Sequence, residues 1–82
     1  MTPRERKIAK ALLDTLHERA GRAMEETELF GEVHTRTESS LHEFRAVLAL
    51  CDARGWLTGV KGKYSGSLWD INDEGEVARL QL

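Results

Sequence analysis

Residues Leu41–Ile71 read LHEFRAVLALCDARGWLTGVKGKYSGSLWDI, and they carry the strongest structural signal in the chain. The first half has apolar residues at helical spacing and ends at Gly55, a residue type that often follows the last turn of a helix. Two short segments with strand composition come next, Trp56–Thr58 and Leu68–Ile71, and a loop rich in glycine, serine and lysine joins them. The order predicts a helix, a tight stop, and a β-hairpin with a basic turn.

The helix in this stretch is predicted to run from about Ser40 to Arg54, with Thr37 or Ser39 as its N-cap. Its apolar stripe is expected to face the core and contains Leu41, Phe44, Val47, Leu48 and Cys51. The opposite face is expected to lie in solvent and contains His42, Arg45, Ala46, Ala49 and Asp52.

The N-terminal segment also begins with a helix signal. Thr2-Pro3-Arg4-Glu5 matches a capping box with proline at the first helical position. Apolar residues then recur at helical spacing and form a stripe of Ile8, Leu12, Leu16 and Ala20, widened by Ala9 and Leu13. Gly21 is well placed to end this helix.

A second helix is predicted over residues 27–35, because Leu29, Phe30 and Val33 have helical spacing, with Thr27 as a possible cap. After the hairpin, residues 73–82 favour a short C-terminal helix behind an Asn72-Asp73 cap. The chain is therefore predicted to be a single α+β domain, residues 1–82, with a three-helix core, a β-hairpin and a possible short C-terminal helix.

Composition agrees with one small globular domain. The 82 residues are 40% hydrophobic and 32% charged, and no apolar run is long enough to span a bilayer. The N-terminal residues lack the apolar segment of a signal peptide, and a single cysteine excludes an internal disulfide. We therefore expect a cytoplasmic protein.

Charge is distributed unevenly around a net value of −2. Residues 1–22 hold six basic and three acidic side chains, whereas residues 23–35 hold four glutamates and no base. Lys61 and Lys63 are the charged residues between positions 55 and 69, and four acids against Arg79 follow them. A local basic loop can contact phosphate, but the chain lacks the uniform positive charge of a strong nonspecific nucleic-acid binder.

The order of helix, glycine stop, strand, basic loop and strand resembles a winged helix-turn-helix. A closer similarity, over Glu28–His34, Leu41–Gly55 and the loop, is to the C-terminal winged-helix domain of archaeal origin-recognition initiator proteins. The loop Gly62–Ser67, GKYSGS, aligns with that family's wing motif G-R-Y-G-R-T, with lysine for the first arginine, glycine for the second and serine for the threonine. In the winged fold a short strand near residues 22–26 often pairs with the hairpin.

The resemblance implies binding to double-stranded DNA, with helix 40–54 in the major groove and the wing, residues 61–67, on the backbone. Arg45 could pair with guanine, whereas phosphate would repel Glu43 unless its carboxylate accepts a hydrogen bond from cytosine. The predicted DNA-binding residues are Arg36, Ser39, Ser40, His42, Arg45, Lys61, Lys63, Tyr64 and Ser65. The alternative is that these residues form an ordinary solvated helix face and hairpin turn.

No residue pattern indicates catalysis, a metal site or a cofactor. The three histidines, His17, His34 and His42, lie on separate elements without metal-ligand spacing, and Cys51 is explained as a small core residue. Asp70–Gly75 resembles the start of a calcium loop, but Gln81 stands where such a loop needs glutamate. We expect no enzymatic activity, no cofactor and no small-molecule substrate.

Two functions remain open at this point. The first is a DNA-binding protein that acts in transcription regulation or in DNA replication and maintenance. The second is a winged-helix module for protein–protein interaction or homodimerisation, which the acidic segments Glu25–Glu32 and Asp70–Glu76 favour. Leu68 and Trp69 alternate along a strand, so one of them is expected to be partly exposed, and an outward Trp69 would suit a protein partner.

Overall fold

The computed structural model describes residues 1–61 and 67–82. These residues form, in chain order, α1 (Pro3–Glu18), β1 (Met24–Glu25), α2 (Glu26–Arg36), α3 (Leu41–Ala53), β2 (Leu57–Lys61), β3 (Ser67–Ile71) and α4 (Asp73–Gln81). Both strand pairings are antiparallel, and β3 is the central strand in the order β1-β3-β2. The chain is therefore α+β, and the predicted helices, hairpin, short extra strand and C-terminal helix are confirmed, but the first hairpin strand begins at Leu57 rather than Trp56 and extends to Lys61.

Helix α1 begins where the capping box predicts. Thr2 Oγ1 accepts a hydrogen bond from the Glu5 amide at 3.1 Å, and the Glu5 carboxylate accepts one from the Thr2 amide at 2.8 Å. The helix ends at Glu18, and Gly21 adopts a left-handed φ of +83° in the turn that follows. The prediction that Ala20 continues the buried stripe is wrong, because Ala20 lies beyond the helix and is exposed.

The predicted caps of α2 and α3 need correction. Ser40, rather than Thr37 or Ser39, caps α3, since its Oγ accepts from the Glu43 amide at 3.1 Å while Glu43 accepts from the Ser40 amide. Helix α2 already includes Thr27, and its N-cap, Glu25, makes no side-chain capping bond.

One hydrophobic core joins the helices to the sheet. Its large side chains with under 2% exposure include Phe44, Ile8, Leu12, Leu13, Leu16, Met24, Leu29, Val33 and Val47. The predicted inward residues of α3 belong to it except Leu41, which stands in the first turn and is 41% exposed. Burial of each large apolar side chain contributes about 1.5–3 kcal/mol, so this cluster provides the main stabilisation of α1 against α3.

The hairpin places Trp69 against the backbone of its partner strand. Gly59 pairs with Trp69, and a Cβ at Gly59 would lie 2.7 Å from the indole Cζ3, so only glycine leaves room for the ring. Leu68 and Trp69 are both half-buried, so the prediction that one of them is partly exposed is confirmed, but Trp69 packs against the core rather than standing outward.

Helix α4 is attached to the body of the domain by polar contacts at both ends. Asn72 Oδ1 accepts from the Gly75 amide at 2.9 Å, which confirms the predicted cap, and Asn72 Nδ2 donates to the Gly55 carbonyl at 2.8 Å. Arg79 Nε lies 3.0 Å from Asp14 Oδ1 on α1. Among the described residues, no helix combines the length and apolar character needed to cross a membrane.

Candidate nucleic-acid interface

The outward face of α3 is exposed as the helical spacing predicts. His42, Arg45, Ala46, Ala49 and Asp52 are all exposed. Two of these side chains are alanines, so the face is shallow around the longer Arg45 side chain. A face of this shape lets the helix backbone approach a flat or grooved partner closely.

Arg45 carries a permanent positive charge on this face, and its ion pair with Glu26 is weak. Its Nε lies 3.4 Å from Glu26 Oε2, at the start of α2, and 62% of its side chain is exposed. An ion pair this exposed contributes about 0–1 kcal/mol. Arg45 can therefore exchange Glu26 for a phosphate or a base edge at low cost.

Arg4 compensates the Glu43 carboxylate at the N-terminal end of α3. The guanidinium of Arg4 donates to both oxygens of Glu43, with an Nη2–Oε1 distance of 3.0 Å, and also to the Glu38 carbonyl at 3.3 Å. The hydrogen bond from Arg4, followed by the one from the Ser40 amide, lowers the pKa of Glu43 to about 2. Glu43 is thus ionised but paired, which reduces the repulsion of phosphate expected from its sequence position.

Ser39 and Ser40 have different environments although they are neighbours. Ser39 is 4% exposed, and its Oγ has no hydrogen-bond partner among the described residues, so the prediction that it lies on the outward surface is wrong. Packing of the loop against His34, whose Nδ1 lies 3.1 Å from the Ser39 carbonyl oxygen, turns the side chain inward. Ser40 is exposed, and its hydroxyl, although it accepts from the Glu43 amide, still has its own proton to donate.

Arg36 lies away from the α3 face. Its Nη2 is 2.6 Å from Glu18 Oε1 on α1, and it lines a cleft together with Lys7 and Lys10. The structure therefore groups Arg36 with α1, and Arg36 stands apart from His42 and Arg45. The contact between Arg36 and Glu18 could not be predicted from the sequence, because the two residues are 18 positions apart.

Among the predicted wing contacts, Lys61 is the one that lies within the described residues. It is exposed at the end of β2 and pairs in register with Ser67 of β3. The other predicted wing contacts, Lys63, Tyr64 and Ser65, lie outside the described residues.

A cavity of about 300 Å³ connects the α3 face to the sheet. Its walls are formed by Glu26, Arg45, Leu48, Ala49, Asp52 and Trp69. The Trp69 Nε1 atom is buried without a hydrogen-bond partner among the described residues. Because the ring shares this cavity with residues of α3, Trp69 lies between the hairpin and α3.

The remaining titratable candidates do not gather into a site. Within residues 1–61 and 67–82, no three His, Cys, Asp or Glu side chains lie close enough together to hold a metal ion. Cys51 is fully buried in the core, and desolvation raises the pKa of its thiol to about 12. The predicted role of Cys51 as a core residue is confirmed.

Comparison of the chain with protein-family models, with curated proteins and with solved structures found no match. Its function is accordingly inferred from the geometry described above.

Proposed function

We propose that the chain is a winged-helix domain that binds double-stranded DNA through the outward face of α3. The observation that carries the proposal is the element order α1-β1-α2-α3-β2-β3 with the strand order β1-β3-β2, together with an exposed α3 face. That order is the one a winged helix uses to place its third helix beside a β-hairpin. We infer a role in transcription regulation or in DNA replication and maintenance, and a cytoplasmic location.

The dimensions and side chains of α3 suit a major groove. Its 13 residues make a helix about 20 Å long, and a B-form major groove is about 12 Å wide and accepts one helix. Ala46 and Ala49 allow close approach and can contact thymine methyl groups, while Arg45 can donate two hydrogen bonds to guanine. In this arrangement His42 and Ser40 lie near the phosphates at the N-terminal end of the helix.

Backbone affinity in the proposal comes from a small number of cations. Lys61 and Lys63 would contact phosphates from the wing, whereas Arg4, although its side chain is 58% exposed, mainly offsets the negative charge of Glu43. Because the whole chain has a net charge of −2, we expect modest affinity that falls steeply as salt is added.

Fluorescence anisotropy with random-sequence duplex DNA at several salt concentrations tests this proposal. Replacing Lys61 and Lys63 with alanine should weaken binding on every duplex and reduce the salt slope by about 0.9 per lost contact. Arg45→Ala should instead lose about 1–3 kcal/mol of discrimination at one base position on a selected site. Lys7→Ala removes an exposed cation from a surface that shares no residue with the α3 face, and it serves as the matched control.

Protein binding through the same face is the second candidate function. Glu26 and Asp52 favour it, because they line the same cavity as Arg45. This part of the face therefore carries both positive and negative charges. Absence of duplex binding by the wild-type protein at low salt would overturn the DNA proposal and favour this candidate.

A further inference from the structure

A second surface, here called the α1 cleft, lies on the side of α1 that α3 does not cover. The cleft has a volume of about 690 Å³ and is bounded by α1, the C-terminal end of α2 and the C-terminal residue Leu82. Its cations are Arg6, Lys7 and Lys10 from α1 and Arg36 from α2. Pro3, Ala11 and Leu82 give the cleft apolar walls between these charges.

Two acidic side chains near the α1 cleft, Asp14 and Glu18, are already engaged in ion pairs. Asp14 lies 2.9 Å from Lys10 and 3.0 Å from Arg79, and Glu18 pairs with Arg36. Burial raises the pKa of Asp14, but hydrogen bonds from Lys10 and Arg79 outweigh that effect, so its pKa lies below the ordinary aspartate value.

Among the described residues, two exposed cations in the cleft lack an acidic side chain as a partner. Arg6 and Lys7 have no ion-pair partner in the part of the chain that the structure describes. The α1 cleft is therefore positive although the protein as a whole is negative.

We propose that the α1 cleft binds an acidic peptide segment of a protein partner, with apolar side chains on the segment filling the space between the cations. The cations complement the negative charge of an acidic segment. The walls at Ala11 and Leu82 are apolar, so apolar side chains of the same segment can pack against them.

A duplex is a poorer occupant of this cleft than a peptide. Phosphodiester backbone carries charge without apolar side chains, so it would leave the Pro3, Ala11 and Leu82 surface unused. The cleft takes no lining residue from α3 or from the sheet, so the domain can hold a peptide there while α3 contacts DNA. The proposal therefore does not depend on DNA binding and goes beyond it.

The test uses a helical peptide of about 15 residues with glutamate and leucine along one face, and a matched peptide in which glutamine replaces every glutamate. Titration of ¹⁵N-labelled protein with the glutamate peptide should shift the amide signals of Lys7, Ala11 and Thr37. Lys7→Glu should weaken binding about tenfold or more, because it places like charges opposite each other, whereas Lys7→Arg should retain it.

Arg22→Glu is the control for charge reversal. Arg22 is exposed, lies in the turn after α1, and has no ion-pair partner among the described residues, so its reversal should change peptide affinity less than about twofold. The proposal is overturned by absence of shifts at millimolar peptide, by equal binding of the glutamine peptide, or by an equal effect of Arg22→Glu. Stronger binding of duplex DNA or anionic vesicles at the same amides would also overturn it, and would assign the α1 cleft to that ligand.

Discussion

Replacement of Gly75 by alanine should destabilise the protein, although alanine normally stabilises a helix relative to glycine. Gly75 lies in the first turn of α4, where that helix meets the segment that follows α3. A Cβ at this position would lie 2.3 Å from the Trp56 carbonyl oxygen and 2.7 Å from Ile71 Cγ1. The carbonyl cannot move away freely, because it also accepts a hydrogen bond from the Asn72 amide at 3.3 Å.

The size of the effect follows from two opposing contributions. Helix propensity favours alanine by up to about 1 kcal/mol. Restoring ordinary contact requires a shift of about 1 Å between two backbone segments, and overpacking of this kind costs about 1–3 kcal/mol or more. We expect a net loss of about 1–2 kcal/mol, and therefore a fall in Tm of about 5–15 °C for a domain of this size.

Gly31→Ala is the matched control for Gly75→Ala. Gly31 lies in α2 and is exposed, and a Cβ added there would meet no other element of the fold within 4 Å. Alanine at this position should therefore raise the free energy of unfolding by about 0.5–1 kcal/mol. Thermal melting followed by circular dichroism measures both variants. A Tm for Gly75→Ala equal to or above that of the wild type would refute the described docking of α4 on Trp56.

Leu48→Ala should cost about 2–5 kcal/mol in urea unfolding, because Leu48 is 4% exposed in the core, and an unchanged midpoint would show that α3 is wrongly oriented. Cys51 should react slowly with a thiol reagent under native conditions, because its thiol is buried and its pKa is raised to about 12, and rapid modification would contradict this. The pKa of Glu43 is lower in the folded chain, about 2 against 4.5, so its carboxylate stabilises the fold above about pH 4.5 and that contribution is lost as the pH falls towards 2. Melting temperatures across this range should therefore fall less steeply for Glu43→Gln, and an identical pH dependence would contradict the Arg4–Glu43 pairing.

Local signals were sufficient to predict most of the fold. The Thr2–Glu5 capping box, the apolar stripe of α1 and the glycine after α3 each depend on residues within about one or two turns of each other, so periodicity and capping rules apply directly. The burial of Phe44 and Cys51 follows from the same spacing. The cap of α3 carries the same kind of local signal, because Ser40 and Glu43 have the spacing of a capping box, but the prediction placed the cap at Thr37 or Ser39 and missed it.

Long-range pairing accounts for what the sequence did not predict about the candidate site. Arg4 and Glu43 are 39 positions apart, so the sequence places each of them only in the first turn of its own helix. Their contact follows from the packing of α1 against α3. The excess of cations in residues 1–22 was visible in the sequence, but the α1 cleft appears only when α1 packs beside Arg36 and Leu82. Side-chain grouping of this kind requires the tertiary structure.

Contact between DNA and the outward face of α3 is best examined by an amide-shift titration of ¹⁵N-labelled protein with duplex DNA at low salt. We expect the shifts to concentrate at His42, Arg45 and Ala49 of α3 and at Lys61 of β2, because these exposed residues lie on the proposed interface. An absence of shifts on α3, or shifts confined to Lys7 and its neighbours in the α1 cleft, would show that α3 is not the DNA-binding surface.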